Sequence, residues 1–253
     1  MKITFLGTGT SQGIPVIGCK CRTCMSRQPH DNRLRASVMV EAGGKVIVID
    51  TGPDFRQQML RAAADQLDAV LFTHGHKDHI AGLDDIRAFN FINRKPTDIY
   101  AEEGVINELK REFAYVFAEY KYPGIPQVVL HEISNREFLV ENIPVIPVRA
   151  LHYNLPVFGY RIGDFTYITD ANHIEQKEID KIVGSKVLVI NALRKKQHYS
   201  HFTLSEALEI IARTSPANAY ITHISHQMGL HEEVSRELPA NVKLAYDGLV
   251  VKV

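Results

Sequence analysis

The sequence predicts an α/β protein in which two β-sheets pack against each other and helices cover their outer sides. Short β-type runs alternate with helical ones along the 253 residues. The β-rich stretches fall into two halves, each with its own helices, which is the pattern of a layered α/β architecture. Hairpin signals are too frequent, relative to crossovers, for a simple Rossmann order.

Lys2–Leu6 (KITFL) reads as a strand running into a glycine-rich turn over Gly7–Gly13. That turn has two readings, a phosphate cradle or a tight bend; no Lys or helix start follows in P-loop fashion, which favours the bend. Ala36–Val40 and Lys45–Asp50 flank Gly43-Gly44 and read as a hairpin. Phe55–Gln66 has helical character. Leu67–Thr73 (LDAVLFT) is almost continuously apolar, as expected of a strand buried on both faces. Gly104–Tyr120 is helical, with Val105, Leu109, Phe113 and Val116 on one face. In the second half, Glu137–Val148 and Phe158–Thr169 read as antiparallel ribbons, the latter turning at Gly163-Asp164. Helices are expected at Ile174–Val183, Leu204–Thr214 and Glu232–Leu238. Strands are expected at Lys186–Ile190 and Ala219–Thr222, with β character over Val242–Val253.

Apolar residues at 45% and charged residues at 23% fit an ordinary globular chain. A domain of this length buries about three-quarters of its unfolded surface and needs no disulfide staples. With no linker, repeat or low-complexity tract, one domain over residues 1–253 is expected. Lys plus Arg and Asp plus Glu number 29 each, so no long-range field draws the protein to nucleic acid or acidic membranes. The start MKITFLGTGT is too short an apolar run for a signal peptide. No stretch reaches the ~18 apolar residues of a membrane span. The expectation is therefore a cytoplasmic protein without a membrane partner.

The densest chemistry lies in Thr73-His74-Gly75-His76-Lys77-Asp78-His79, after a buried strand and before a predicted helix. An isolated His-x-His is most often a solvated turn. Three imidazoles and a carboxylate within six residues are costly to place for packing alone, and they are ligands that Zn²⁺ and similar cations prefer. On a loop, His74 and His76 can point one way while Asp78 and His79 reach another side, which suits two neighbouring metals. His152, Asp170 and His223 each end a predicted strand, where strand-end loops gather. Singly each would more often be an ordinary polar residue; with the first cluster they complete a set of seven.

The three cysteines, Cys19, Cys21 and Cys24, are a poor disulfide framework and a plausible metal site. They offer three thiolates, one short of a tetrahedral zinc site, and His226 in His223-Ile224-Ser225-His226 is a candidate fourth. The alternative is three reduced thiols in a loop.

The HxHxDH run followed by His, Asp and His in this order resembles the metallo-β-lactamase-fold superfamily, over almost the whole chain. The resemblance implies a four-layer αββα sandwich with metals at one edge between the sheets. It implies that His74, His76 and His152 hold one metal, that Asp78, His79 and His223 hold a second, and that Asp170 bridges them. Asp50, in Ile47-Val48-Ile49-Asp50-Thr51-Gly52, matches the superfamily's first motif and would orient the ligand loop from behind. The redox di-iron branch carries HxExD instead, which disfavours electron transfer here.

GTGTSQGIPVIGCKCRTC near the start and THISHQ near the end make the chain similar to the phosphoribosyl 1,2-cyclic-phosphate phosphodiesterase family of bacterial phosphonate breakdown. That likeness implies a structural zinc on Cys19, Cys21, Cys24 and His226, in a loop at about 18–35, beside two divalent ions, Mn or Zn, at the active site. It implies catalytic roles for Asp78, Asp170 and His201, the last assisting the phosphoryl or leaving oxygen. His198 competes for that role, and a surface His beside a helix start is the bland reading of His201. Asn191 departs from the family, which has an acidic residue there; this bears on substrate identity. Tyr246-Asp247-Gly248 also matches, with a turn as its bland reading. His30, His131, His173 and His231 match no motif and read as structural or solvent-facing.

The leading expectation is a dinuclear-metal phosphodiesterase that cleaves a small cyclic phosphate ester by a metal-bridging hydroxide. A small phosphate-ester substrate is expected, nucleic acid is disfavoured as a partner, and the likeness weakly implies a homodimer. The alternatives are a tRNA 3′-processing nuclease, a thioester, lactone or other carbonyl-ester hydrolase, and a metal-bound scaffold without catalysis. The first would carry a basic, Gly- and Pro-rich arm that this sequence lacks.

Overall fold

The computed structural model describes residues 1–120 and 122–253. Fourteen strands run in chain order: β1 Lys2–Gly7, β2 Ser37–Ala42, β3 Lys45–Ile49, β4 Ala69–Leu71, β5 Thr97–Ala101, β6 Val128–Glu132, β7 Phe138–Val140, β8 Ile143–His152, β9 Leu155–Ile162, β10 Phe165–Ile168, β11 Val187–Asn191, β12 Asn218–Thr222, β13 Val242–Leu244 and β14 Val250–Lys252. They form two seven-stranded sheets, ordered β14-β1-β2-β3-β4-β5-β6 and β13-β12-β11-β10-β9-β8-β7. In the first sheet β3 through β6 run parallel; in the second, β10 through β13 do. The remaining pairings are antiparallel.

The alternation of side chains along each strand builds three apolar layers. Val38, Val40, Ile47, Ile49, Ala69 and Leu71 of the first sheet meet Phe158, Tyr160, Phe165, Tyr167, Val187 and Val189 of the second. Their neighbours Met39, Val48, Val70 and Phe72 face the other way, onto Phe55, Met59, Ile80, Leu83 and Leu109 of the covering helices. Leu188 and Ile190 likewise face Ile179, Ile182, Ala207 and Ile211. The molecule is a four-layer αββα sandwich, and the continuous apolar run at Leu67–Thr73 has the cause expected of it.

Several boundaries differ from the sequence reading. The helix expected over Phe55–Gln66 spans Phe55–Arg61. Ala63 then takes a left-handed φ of 48°, and the Ala64 N–H bonds back to the Met59 carbonyl, a helix-ending turn usually marked by Gly. The helix expected over Gly104–Tyr120 is two helices, Glu103–Glu112 and Ala114–Phe117, broken at Phe113. A helix at Arg87–Asn93 and strands β5 and β6 carry no prior expectation. The closing stretch is divided: β13 adds to the second sheet, whereas β14 crosses to pair with β1. The terminal ammonium of Met1 donates to the Val253 carbonyl at 2.9 Å.

No helix among the described residues is long and apolar enough to cross a membrane. Leu71 is fully buried between the sheets, three residues before His74. Leu71→Ala is expected to lower unfolding free energy by about 2–5 kcal/mol through a cavity, read from the urea midpoint at unchanged slope. A cost below about 1 kcal/mol would mean that the layer collapses around the gap.

Candidate metal centre

The seven candidate donors converge because strands of both sheets end at one edge. His74 lies just past β4, His152 ends β8, Asp170 lies just past β10 and His223 follows β12. Ligands in open α/β sheets gather outside such carboxyl ends. The two sheets are tied there: the Phe158 N–H donates to the Thr73 carbonyl at 3.0 Å, and the Tyr160 hydroxyl donates to the Phe72 carbonyl at 2.6 Å. Asp50 at φ 65°, Asp170 at 54° and His223 at 53° adopt left-handed backbone at this edge, as does Tyr153, just after His152, at 57°. Such a conformation is uncommon for residues other than Gly and clusters at functional sites.

The donors form two groups. His74, His76 and His152 bring one nitrogen each within 4.8 Å of one another, and a carboxylate oxygen each of Asp78 and Asp170 and a nitrogen each of His79 and His223 lie equally close together. Asp170 also groups with His152 and His201, so it lies between the two sets. One Asp170 oxygen is 3.1 Å from His223 Nε2 and 3.0 Å from His201 Nε2, and the other is 3.1 Å from His79 Nε2. His201 therefore faces Asp170, while His198 lies behind it, ring nitrogen to ring nitrogen at 3.3 Å.

Burial and then the charge of neighbouring His79 hold His74 well below the usual histidine range. Burial also lowers His76 and His152. Burial opposes ionisation of Asp170, but the imidazoles of His223 and His79 outweigh it and hold the carboxyl well below its ordinary range. Asp78 is likewise held down, burial being outweighed by His79. His79 is the reverse: burial opposes a proton, but Asp78, Asp170 and Asp50 outweigh it and raise the group well above its usual value. Neutral imidazoles and ionised carboxylates are the states that coordinate a metal, and a pocket that favours positive charge at its centre suits a cation. His74 Nε2 and His223 Nδ1 are buried without a hydrogen-bond partner, and His79 Nε2 and His223 Nε2, though 3.1 Å from Asp170 oxygens, do not meet them in hydrogen-bond geometry, which is costly unless something else satisfies these nitrogens. A divalent cation fits this donor set.

Groups behind the donors set their orientation. Asp50, fully buried, accepts from the Thr73 N–H at 2.9 Å, the Thr73 hydroxyl at 2.8 Å and His79 Nδ1 at 2.7 Å, leaving His79 Nε2 to face inward. His152 Nδ1 donates to the Ser200 carbonyl at 2.8 Å. The His201 loop is anchored by a capping box at the Leu204–Thr214 helix, where Thr203 and Glu206 bond reciprocally.

The roles of three residues escaped the sequence reading. Asn191, singled out as a departure, clamps the backbone beside Asp170: its Oδ1 accepts from Ala171 N–H at 2.8 Å and its Nδ2 donates to the Ala171 carbonyl at 2.9 Å. A carboxylate there could not donate. Gly52 and Gly82 let the loop after β3 meet the Lys77–Ile80 helix: a Cβ on Gly82 would strike the Gly52 carbonyl, and one on Gly52 the Asp78 carbonyl. Gly52 stands before Pro53 and Gly82 before Leu83; neither pair tells which backbone will come close, so only the folded chain reveals it.

The cysteine loop closes on the same segment. Cys19, Cys21, Cys24 and His226 bring their donor atoms within 4.8 Å of one another, with His226 Nδ1 at 3.3 Å from both Cys19 Sγ and Cys21 Sγ. The Cys24 N–H, chiefly, lowers Cys21 to about 6 despite burial, whereas burial raises Cys24 to about 11. Gly9 bridges both Arg35 and Ile224, which settles the glycine-rich turn as a close backbone approach. Ile224 sits between His223 and His226, so one short segment serves both donor sets.

Residues 45–224 match the family described as "Beta-lactamase superfamily domain", and the chain belongs to that family. A solved structure described as a new diphosphatase from the PhnP family is 40% identical, with a TM-score of 0.93 over 100% of this chain and 97% of that one. An octanoyltransferase of Porphyromonas gingivalis is 40% identical over 252 residues, 98% of this chain and 51% of that protein. A ribonuclease Z of Methanosarcina mazei is 27% identical over 168 residues, 64% of this chain and 48% of that protein. The chain spans about half the length of these two curated relatives.

Asn191→Ala leaves the buried Ala171 N–H without a partner, while the Ala171 carbonyl keeps the Phe202 N–H, and is expected to cost about 1–3 kcal/mol. Gly82→Ala is expected to cost about 1–3 kcal/mol by overpacking and to lower the divalent metal retained per chain. Urea midpoints and elemental analysis check both; wild-type values in either variant would remove that residue from the support of the site.

Proposed function

We propose that the chain is a dinuclear-metal phosphodiesterase acting on a small phosphate ester, a cyclic one being the favoured substrate. The observation that carries this reading is Asp170, placed between two complementary donor groups with His201 on its open side. His74, His76 and His152 would hold one ion and Asp78, His79 and His223 the other, with Asp170 shared; Mn or Zn suits these donors. A pair of divalent cations there supplies an acidified water and neutralises charge on phosphoryl oxygens. Asp50 and Ser200 fix which imidazole nitrogen faces the site. His201, held between Ser200 and Asp170, would steady a phosphoryl oxygen or carry a proton to the leaving oxygen. A cleft of about 460 Å³ opens beside His74 and His76, walled by Glu102, Val105, Glu108, Leu155 and Pro156, a size suited to a small ester.

The diphosphatase name of the 40% identical structure and the ribonuclease Z name of a more distant relative both support chemistry at phosphorus. The balanced charge, 29 against 29, favours a small ester over a nucleic acid. The octanoyltransferase name favours acyl chemistry, but half of that protein lies outside the match. Cys19, Cys21, Cys24 and His226 would hold a third ion, a zinc with a structural role.

The test joins turnover to metal content. Protein loaded with Mn²⁺ or Zn²⁺ is expected to cleave bis(4-nitrophenyl) phosphate and a cyclic phosphoribosyl ester, and His201→Ala to lower kcat by about 10²–10⁴-fold. Elemental analysis should show about three ions in the wild type, loss of two in Asp170→Ala, and loss of one zinc in Cys21→Ala. Absence of turnover with both esters and both metals would reject the function. Equal metal in the three proteins would reject the site assignment.

A further inference from the structure

Next to the donors along the chain stand two exposed aromatic side chains, outside the lining of the cleft beside His74, that the reaction as described does not use. Tyr153 is 57% exposed and Tyr199 is 71% exposed, although each adjoins the machinery. Tyr153 follows His152 and lies two residues before Leu155, which walls the cleft. Tyr199 precedes Ser200, whose carbonyl orients His152, and stands two residues from His201. The two rings meet edge to face, with centroids 5.7 Å apart at 89°, and the His198 ring stacks on Tyr199 at 4.5 Å.

The pair is held in place at a cost. Tyr153 has a left-handed φ of 57°, a strained state for a bulky residue that persists only where the surroundings impose it. Asn172 imposes it: its Oδ1 accepts from the Tyr153 N–H at 2.7 Å, and its Nδ2 donates to the Tyr199 carbonyl at 3.1 Å. Asn172 lies two residues past Asp170, so a single side chain joins the bridging carboxylate's turn to both tyrosine backbones. Packing needs no such device for rings that face water. His198 takes one face of Tyr199; fixed, exposed rings beside the proposed phosphate site offer their remaining π-surface to a nucleobase, because every base has a π-face to stack.

We propose that Tyr153 and Tyr199 form a stacking platform for a planar base carried by the substrate, so that the phosphate ester is a nucleotide whose base lies outside the metal centre. This specifies the substrate class of the phosphodiesterase reading above and rests on it. The two rings are specificity residues rather than catalytic ones.

Two measurements on metal-loaded protein test the platform. The first compares 4-nitrophenolate release from thymidine 5′-(4-nitrophenyl phosphate) and from methyl 4-nitrophenyl phosphate, which share a leaving group and differ in the base-bearing arm. Tyr199→Ala and Tyr153→Ala are expected to raise KM for the thymidine ester about tenfold or more and leave the methyl ester's within about twofold; Tyr199→Phe is expected to match the wild type. Equal shifts for both esters, or none, overturn the platform. The second is calorimetry with adenosine monophosphate and ribose 5-phosphate, which differ by the base. Tighter binding of the adenosine compound is expected in the wild type, with the gap closing in the double alanine variant. Absence of that gap overturns the platform even if no ester turns over, whereas a gap without turnover faults the phosphodiesterase reading instead. A double variant that changes oligomeric state while keeping the gap would assign the rings to a chain–chain contact and overturn the proposal.

Discussion

The carboxylate of Asp50 is the interaction on which the site depends. It has no contact with solvent, yet it receives three hydrogen bonds, two from Thr73 and one from His79. Its own N–H bonds to the Leu71 carbonyl and its carbonyl accepts the Ser37 hydroxyl. One residue thus ties the ends of β3 and β4 to the Lys77–Ile80 helix that carries Asp78 and His79. Burial raises its pKa, and the charge and hydrogen bond of His79 oppose that rise. A buried carboxylate with one partner removed is far more costly than the intact pair, so the arrangement either forms as a whole or fails as a whole.

The rest of the architecture brings a second half to meet this hub. Both sheets share one plan, a parallel block joined to an antiparallel one. In both, parallel strands end at the same edge, β3 and β4 on one side and β10 and β12 on the other. Asp50, Asp170 and His223 all turn through left-handed backbone just after a strand, which swings each side chain away from the sheet and toward the gap between the halves. The cysteine loop reaches that edge through Gly9, Thr8 and Thr10, whose backbones bond to Ile224.

Much of this was legible in the sequence because metal chemistry is written in residue types that packing seldom selects. His74, His76, Asp78 and His79 crowd one loop, and His152, Asp170 and His223 end runs of apolar residues. The structure places all seven at one edge, along with His226 beside the cysteines. Strands β4, β10 and β12, which lead into the site, were readable because nearly all their residues are buried on both faces. Strand β6 was not: Val128–Glu132 exposes residues on both faces, so neither alternation nor a continuous apolar run marks it. The division of Val242–Val253 between two sheets depends on which partner edge is free, a property of the assembled fold. Asn191 illustrates the limit most clearly. As a residue type it reads as the loss of a charge, whereas its amide is suited to bond an N–H and a carbonyl of the same peptide neighbour at once. The close approach of Gly52 and Gly82, and the bracing of two tyrosines by Asn172, are likewise relations between segments far apart in sequence.

The central claim is that these donors converge on a pair of cations that share Asp170. Anomalous X-ray diffraction from crystals of Mn²⁺- or Zn²⁺-loaded protein addresses it directly. Two peaks about 3.5–4 Å apart are expected, one bonded to His74, His76 and His152, the other to Asp78, His79 and His223, with Asp170 reaching both. A single peak, or two that leave Asp170 uncoordinated, would contradict the account.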